Sequence, residues 1–142
     1  MKISARNQFA GTVTSLKPGA VNTEVSVGIA GGNAITAIIT NGSAQSLGLT
    51  IGKEAVALVK ASSVLLMTDG SGLRLSARNC LKGTVRTLTP GAVNSEVALT
   101  LPGGLEVHAV ITNDAAKELK LAAGTSATAV IKASSVILGV PA

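Results

Sequence analysis

The chain has 142 residues, twelve Lys/Arg against seven Asp/Glu (net charge +5), one histidine, one cysteine and one aromatic, Phe9. A single cysteine excludes an intrachain disulfide, and no Cys/His cluster is present to hold a structural metal. No run reaches the roughly 18–20 uncharged apolar residues of a membrane span, and the charged start Met1-Lys2-Ile3-Ser4 has no apolar leader core.

These exclusions lead to the expectation of a soluble, cytoplasmic protein with no membrane partner, in which Cys80 is a reduced, buried small hydrophobe. Residues 1–72 carry five Lys/Arg and three Asp/Glu, and residues 73–142 carry seven and four, with no basic run longer than one residue. Scattered positive charge of this kind suits a small anion better than a polyanion.

In chain order, Ser4-Ala5-Arg6-Asn7 leads into a predicted strand over 8–17, and Pro18-Gly19-Ala20-Val21-Asn22 reads as a turn. Residues 22–29 alternate with period two, which places Val25, Val27 and Ile29 on one face. Gly31-Gly32 then turns the chain into a strand over 34–40. Thr40-Asn41 is a good helix N-cap, and Leu47-Gly48-Leu49 closes the short helix that follows. Strands are predicted over 54–60 and 64–67, and Thr68-Asp69-Gly70-Ser71-Gly72 reads as a linker.

The chain then repeats itself. Residues 4–66 laid on 76–138 are identical at 33 of 63 positions, with a constant offset of 72 and no gap. The predicted division is one domain over 1–68, a linker over 69–72 and a second domain over 73–142. Five short strands with one short helix between the third and fourth is the layout of an OB-like barrel. The expected fold is therefore all-β, with two tandem OB-like five-stranded small barrels. A domain of about 65 residues buries only about 60% of its unfolded surface. With no disulfide or metal to help, the copies or several chains are expected to pack together as an oligomer.

Catalysis finds little support in the residues. His108 is the only histidine and has Thr36 at its place in the first copy, and Cys80 corresponds to Gln8. A lone histidine in an alternating strand reads as structural or exposed. The shared acids are Glu24 and Glu96, each on a strand, and no nucleophile–base pair, metal-ligand spacing or phosphate loop is present. No enzyme is expected.

Both copies instead keep hydrogen-bond donors. Ser-Ala-Arg-Asn offers a hydroxyl, a guanidinium, an amide and backbone N–H groups. Lys-Ala-Ser-Ser offers an ammonium and two hydroxyls, and Thr40-Asn41-Gly42-Ser43 sits at a predicted helix start. A fully deprotonated tetrahedral dianion has acceptors only, so its cage consists of donors and of small residues that let backbone approach. Each block alone also reads as a strand start or a turn; three of them at one offset favour a site.

The patterns Ser-Ala-Arg-Asn-x-x-x-Gly-Thr-Val, Gly-Ala-Val-Asn-x-Glu-Val, Ala-Ile-Ile-Thr and Lys-Ala-Ser-Ser-Val-x-Leu resemble the molbindin (Mop) domain family, over nearly the whole of both copies. The resemblance implies an OB-like fold and a cytoplasmic two-domain protein that stores molybdate, with tungstate as an analogue and no covalent cofactor. It also implies a homotrimer, with oxyanions bound between subunits.

Carried onto this sequence, one half-cage comprises Ser4, Arg6, Asn7, Lys60, Ala61 and Ser62, and the other Ser76, Arg78, Asn79, Lys132, Ala133 and Ser134. Thr40 and Ser43, or Thr112 and Ala115, reach in from a neighbouring domain. Ala115 in place of Ser43 removes one hydroxyl, so the two cages are expected to differ unless a backbone N–H makes the contact instead. An axial site is assigned to Ala20, Val21 and Asn22 and to Ala92, Val93 and Asn94, although a plain Pro-Gly turn explains these residues equally well. A nucleic-acid-binding OB protein would stack bases on aromatics, and with one Phe that partner is not expected. An oxyanion-sensing or assembly domain acting through a partner protein is the remaining alternative.

Overall fold

The computed structural model describes residues 2–68 and 72–142. Residues 69–71 of the predicted linker lie outside the described residues. Ten strands follow the repeat: β1 (Asn7–Pro18), β2 (Asn22–Ile29), β3 (Ala34–Thr40), β4 (Glu54–Val59) and β5 (Leu65–Met67), then β6 (Asn79–Pro90), β7 (Asn94–Thr100), β8 (Glu106–Thr112), β9 (Ser126–Ile131) and β10 (Ile137–Gly139). Two six-residue helices, α1 (Asn41–Ser46) and α2 (Asn113–Glu118), stand between the third and fourth strands of each copy. The fold is all-β and OB-like, as the spacing of the elements predicts.

Alternation decides which side chains fill the core. Val25, Val27 and Ile29 of β2, and Val97, Leu99 and the following Leu101, are all buried. They meet Phe9, Val13 and Val85 in a single apolar cluster that draws on both copies. Cys80 corrects one expectation, because it is exposed rather than buried. On β6 the inward positions are Asn79 and Leu81, so a period of two leaves Cys80 on the solvent side.

The long first strand of each copy bends so that it can serve two partners. β1 pairs with β4 along its first half and with β2 along its second, with a register shift between Val13 and Ser15. Close to this bend, a Cβ on Gly11 would stand 1.9 Å from the Gly28 carbonyl oxygen, so only glycine permits the approach. Gly83 repeats the arrangement against Thr100.

The sheets and the sequence copies part company at one strand. The first sheet runs β10-β4-β1-β2-β3 and the second β5-β9-β6-β7-β8. Each copy thus gives its last strand to the other: β10 pairs with β4, and β5 with β9. The division between 68 and 73 is one of repeated sequence, whereas each packed sheet draws on both sides of it. The 3-10 turns that precede these strands, Ala61–Ser63 and Ala133–Ser135, pack against β8 and β3 of the opposite copy. This contact delivers the chain to the opposite sheet. The hairpin turns also touch across the copies: Gly31 and Gly103 have φ of 75° and 88°, a Cβ on Gly103 would lie 2.4 Å from Gly31 Cα, and Asn33 Nδ2 donates to Pro102 O at 3.0 Å.

Candidate oxyanion site

The helix starts are built as predicted, and the capping residue is the threonine. Thr40 Oγ1 accepts from the Ser43 N–H and Thr112 Oγ1 from the Ala115 N–H, both at 3.0 Å. Asn41 and Asn113 have a different task. Asn41 Nδ2 donates to Gly19 O at 2.9 Å, its N–H donates to Val21 O at 2.9 Å, and its Oδ1 accepts from the buried Thr23 hydroxyl at 2.6 Å. Asn113 repeats this with Gly91, Val93 and Ser95. The turn holding Ala20, Val21 and Asn22, and its counterpart with Ala92, Val93 and Asn94, is thereby fixed to a helix start. Val21 and Val93 stand outward at its tip, each 70% exposed.

Five of the predicted residues converge on one cavity. A space of about 400 Å³ is lined by Ser4, Arg6, Lys60, Ala61 and Ser62 of the first copy, and Val110 and Ile137 of the second complete its wall. The local fold explains the donors. Within the 3-10 turn, the N–H groups of Ser63 and Val64 bond back to Lys60 O and Ala61 O, and those of Ala61 and Ser62, ahead of the first such bond, are not used by the turn. A second cavity of about 520 Å³ joins Thr40 and Ser43 of the first copy to Ser134 of the second, with Ile38 in its wall. Residues predicted to reach in from a neighbouring domain therefore meet the Lys-Ala-Ser segment of the other copy within one chain.

Arg6 and Arg78 reach across the copies. Arg78 forks onto Glu24 at 2.6 and 2.8 Å, and Arg6 Nη2 donates to Glu96 Oε1. Hydrogen bonding from its arginine is the main cause that lowers each glutamate below the ordinary carboxylate value of 4.5, against a smaller opposing effect of burial. Each guanidinium is correspondingly raised. The shared acids, which carried no role in the sequence reading, are thus the arginines' partners. The offset of 72 marks both residue types as shared by the copies but does not pair them.

Asn7 and Asn79 are buried, and their amides are engaged with protein backbone. Lys132 is exposed and Ala133 buried, in the turn matching that of Lys60 and Ala61. Ser76 is exposed at the start of the second Ser-Ala-Arg-Asn segment. His108 lies on β8 between two carboxylates, 3.8 Å from Glu96 and 3.6 Å from Glu106, and Glu106 also pairs with Arg86. The first copy has Thr36 and Ala34 at the places of His108 and Glu106. Among the described residues no group of three or more His, Cys, Asp or Glu is placed to hold a metal cation, and no helix is long and apolar enough to cross a membrane.

Known proteins are similar to this chain over nearly all of its length. Residues 3–66 and 75–138 each match the family model of the TOBE domain. The chain is 51% identical over 140 residues to the molybdenum transport protein ModE of Herbaspirillum seropedicae, covering 99% of this chain and 52% of that one. It is 46% identical over 141 residues to the molybdenum-pterin-binding protein MopA of Rhodobacter capsulatus, covering 99% and 53%. The chain thus spans about half the length of these curated relatives. A solved structure of the cytoplasmic molybdate-binding protein ModG, with molybdate bound, superposes with a TM-score of 0.97 at 61% identity, covering 99% of this chain and all of that one.

Proposed function

The chain belongs to the TOBE domain family and carries the domain twice, and on that premise we propose that it binds molybdate reversibly, with tungstate as an analogue, as a cytoplasmic buffer or store. The observation that carries this reading is the cavity on which Ser4, Arg6, Lys60, Ala61 and Ser62 converge. A tetrahedral dianion offers oxygens with no proton to give, and this wall offers hydroxyls, cations and unused backbone N–H groups. The 61%-identical structure named as a cytoplasmic molybdate-binding protein supports the ligand and the compartment. No covalent chemistry is needed: recognition is by hydrogen bonds and charge.

In this reading the two cages are formed between domains. Ser134 shares its cavity with Thr40 and Ser43, and Ser76, Arg78, Lys132 and Ala133 would complete that cage; by the repeat, Thr112 and Ala115 would complete the one lined by Ser4, Arg6, Lys60, Ala61 and Ser62. The reading includes a homotrimer, and association between chains is supported by apolar residues that stay exposed in pairs at the repeat offset: Ile3 with Leu75 (46% and 44%), Leu65 with Ile137 (63% and 60%), and Val21 with Val93. The Ala20-Val21-Asn22 and Ala92-Val93-Asn94 turns would then line the three-fold axis and hold the axial anions.

Equilibration with molybdate, removal of free anion and elemental analysis test the reading, with sulfate and phosphate as competitors. Lys60→Ala and Lys132→Ala are each expected to lower bound molybdenum by up to half, and full retention in both would remove the site assignment. Because only the folded chain forms the cages, saturating molybdate should raise the melting temperature, by mass action worth about 2.7 kcal/mol at a hundredfold excess over Kd. An unchanged midpoint at millimolar molybdate would count against the reading. In a second reading the same cages sense the anion on behalf of a partner; stoichiometric capture of a partner only with molybdate present would distinguish it.

A further inference from the structure

We infer that Asn7 and Asn79 are not anion ligands but positioning residues, each serving as a one-residue β-strand that fixes the width of a cage. The inference rests on the oxyanion reading of the two cavities. β3 and β8 are the outer strands of their sheets, and an outer strand presents N–H and C=O groups without a neighbouring strand to pair with. Asn7 supplies that neighbour. Its Oδ1 accepts from the His108 N–H at 2.7 Å and its Nδ2 donates to His108 O at 2.8 Å. Asn79 does the same to Thr36, at 2.8 Å in both directions. An amide making both bonds to one residue reproduces the pairing of an antiparallel rung.

The second amide proton decides what this bridge controls. Asn7 Nδ2 also donates to Val59 O, and Asn79 Nδ2 to Ile131 O. Val59 directly precedes Lys60-Ala61-Ser62, and Ile131 directly precedes Lys132-Ala133-Ser134. On the other side, His108 lies two residues from Val110, which walls the first cavity, and Thr36 two residues from Ile38, which walls the second. One side chain thus ties the root of each donor segment to the opposing wall of its own cavity. Both N–H donors are spent on carbonyls, and the residues are 1% and 2% exposed. Neither amide has a proton left for an anion.

Only an amide of this length fits the task. Aspartate would turn an oxygen toward the Val59 and His108 carbonyl oxygens, and serine is too short to donate and accept at once. Tetrahedral oxyanions differ in bond length by a few tenths of an ångström, so a loosened bridge should relax discrimination between them before it abolishes binding.

Two measurements on the full chain test this: backbone amide hydrogen exchange without anion, and molybdate binding in competition with sulfate. Asn7→Ala should speed exchange at the His108 amide by roughly tenfold or more, leave the Thr36 amide unchanged, and lower the molybdate-over-sulfate preference by a comparable factor. Asn79→Ala should give the mirror image. If either alanine variant does not fold, Asn7→Ser and Asn79→Ser are read in the same way. Weakened molybdate binding with His108 exchange unchanged would make Asn7 a ligand and overturn the inference. Faster exchange with discrimination intact would overturn it as well. Absence of molybdate binding by the unsubstituted protein would instead sink the proposed function, and the cage-setting role with it.

Discussion

At Ser43 and Ala115 the copies differ by one hydroxyl, and under the proposed function a donor is moved rather than deleted. In the first copy the Thr40 hydroxyl accepts from the Ser43 N–H and gives its own proton to Ser43 Oγ at 2.8 Å. The proton left to face a ligand is then the serine's. In the second copy the Ala115 N–H is spent on Thr112. With alanine at 115, the threonine keeps its hydroxyl proton instead. Thr112→Val should therefore weaken molybdate binding more than Thr40→Val, whereas each removes a helix cap worth about 1 kcal/mol. Equal losses of bound molybdenum in the two variants would refute this.

The Arg–Glu pairs set a second expectation at the same scale. Glu24 and Glu96 are lowered in the folded chain, chiefly by hydrogen bonds from Arg78 and Arg6. A lowered carboxylate stabilises the fold fully above its ordinary value of 4.5, and that contribution is lost as pH falls through the lowered value. The arginines are half exposed, so the effect is small. Melting temperature should fall as pH drops below about 4.5, and the fall should be shallower in the double variant Glu24→Gln/Glu96→Gln. Superimposable pH profiles would show that the pairs contribute nothing.

Among the elements, the exchanged strands carry the clearest consequence. Leu138 lies on β10 and belongs by sequence to the second copy, yet it pairs with Ala57 of β4 and is 7% exposed in the first sheet. Leu138→Ala should cost about 2–5 kcal/mol. Hydrogen exchange should rise in β4 rather than in β9, because the cavity opens in the sheet that receives the strand. A rise confined to β9 would mean that each copy keeps its own last strand. The six-residue helices are too short to hold themselves. Their stability comes from the threonine caps and from Asn41 and Asn113, which bind the preceding turn.

In the whole molecule, strand exchange, the Asn bridges and the Arg–Glu pairs together make the two copies one structure. This answers the difficulty of a 65-residue domain without disulfide or metal, since each sheet borrows a strand from the other copy. The apolar residues still exposed at the repeat offset then bear on assembly beyond one chain. Val21→Glu combined with Val93→Glu should lower the mass observed by sedimentation and, under the proposed function, reduce axial anion binding. An unchanged mass would place those residues outside any interface.

Residue order alone determined a great deal here. Period-two alternation placed Val25, Val27 and Ile29 in the core, glycine pairs marked the hairpins, and Thr40 announced its helix, because these depend on neighbours a few positions apart. The fixed offset of 72 identified the donor blocks for the same reason: repetition can be seen without knowing where anything lies in space. Tertiary structure alone decided the rest. Nothing in the order of residues says that β5 and β10 change places, that Glu24 and Glu96 meet arginines 54 and 90 positions away, or that Cys80 faces solvent on its strand. Asn7 shows why. Beside Arg6 in a donor-rich block it reads as a ligand, but burial against the edge of β8 commits its amide to backbone, and a buried polar group goes where its hydrogen bonds can be made.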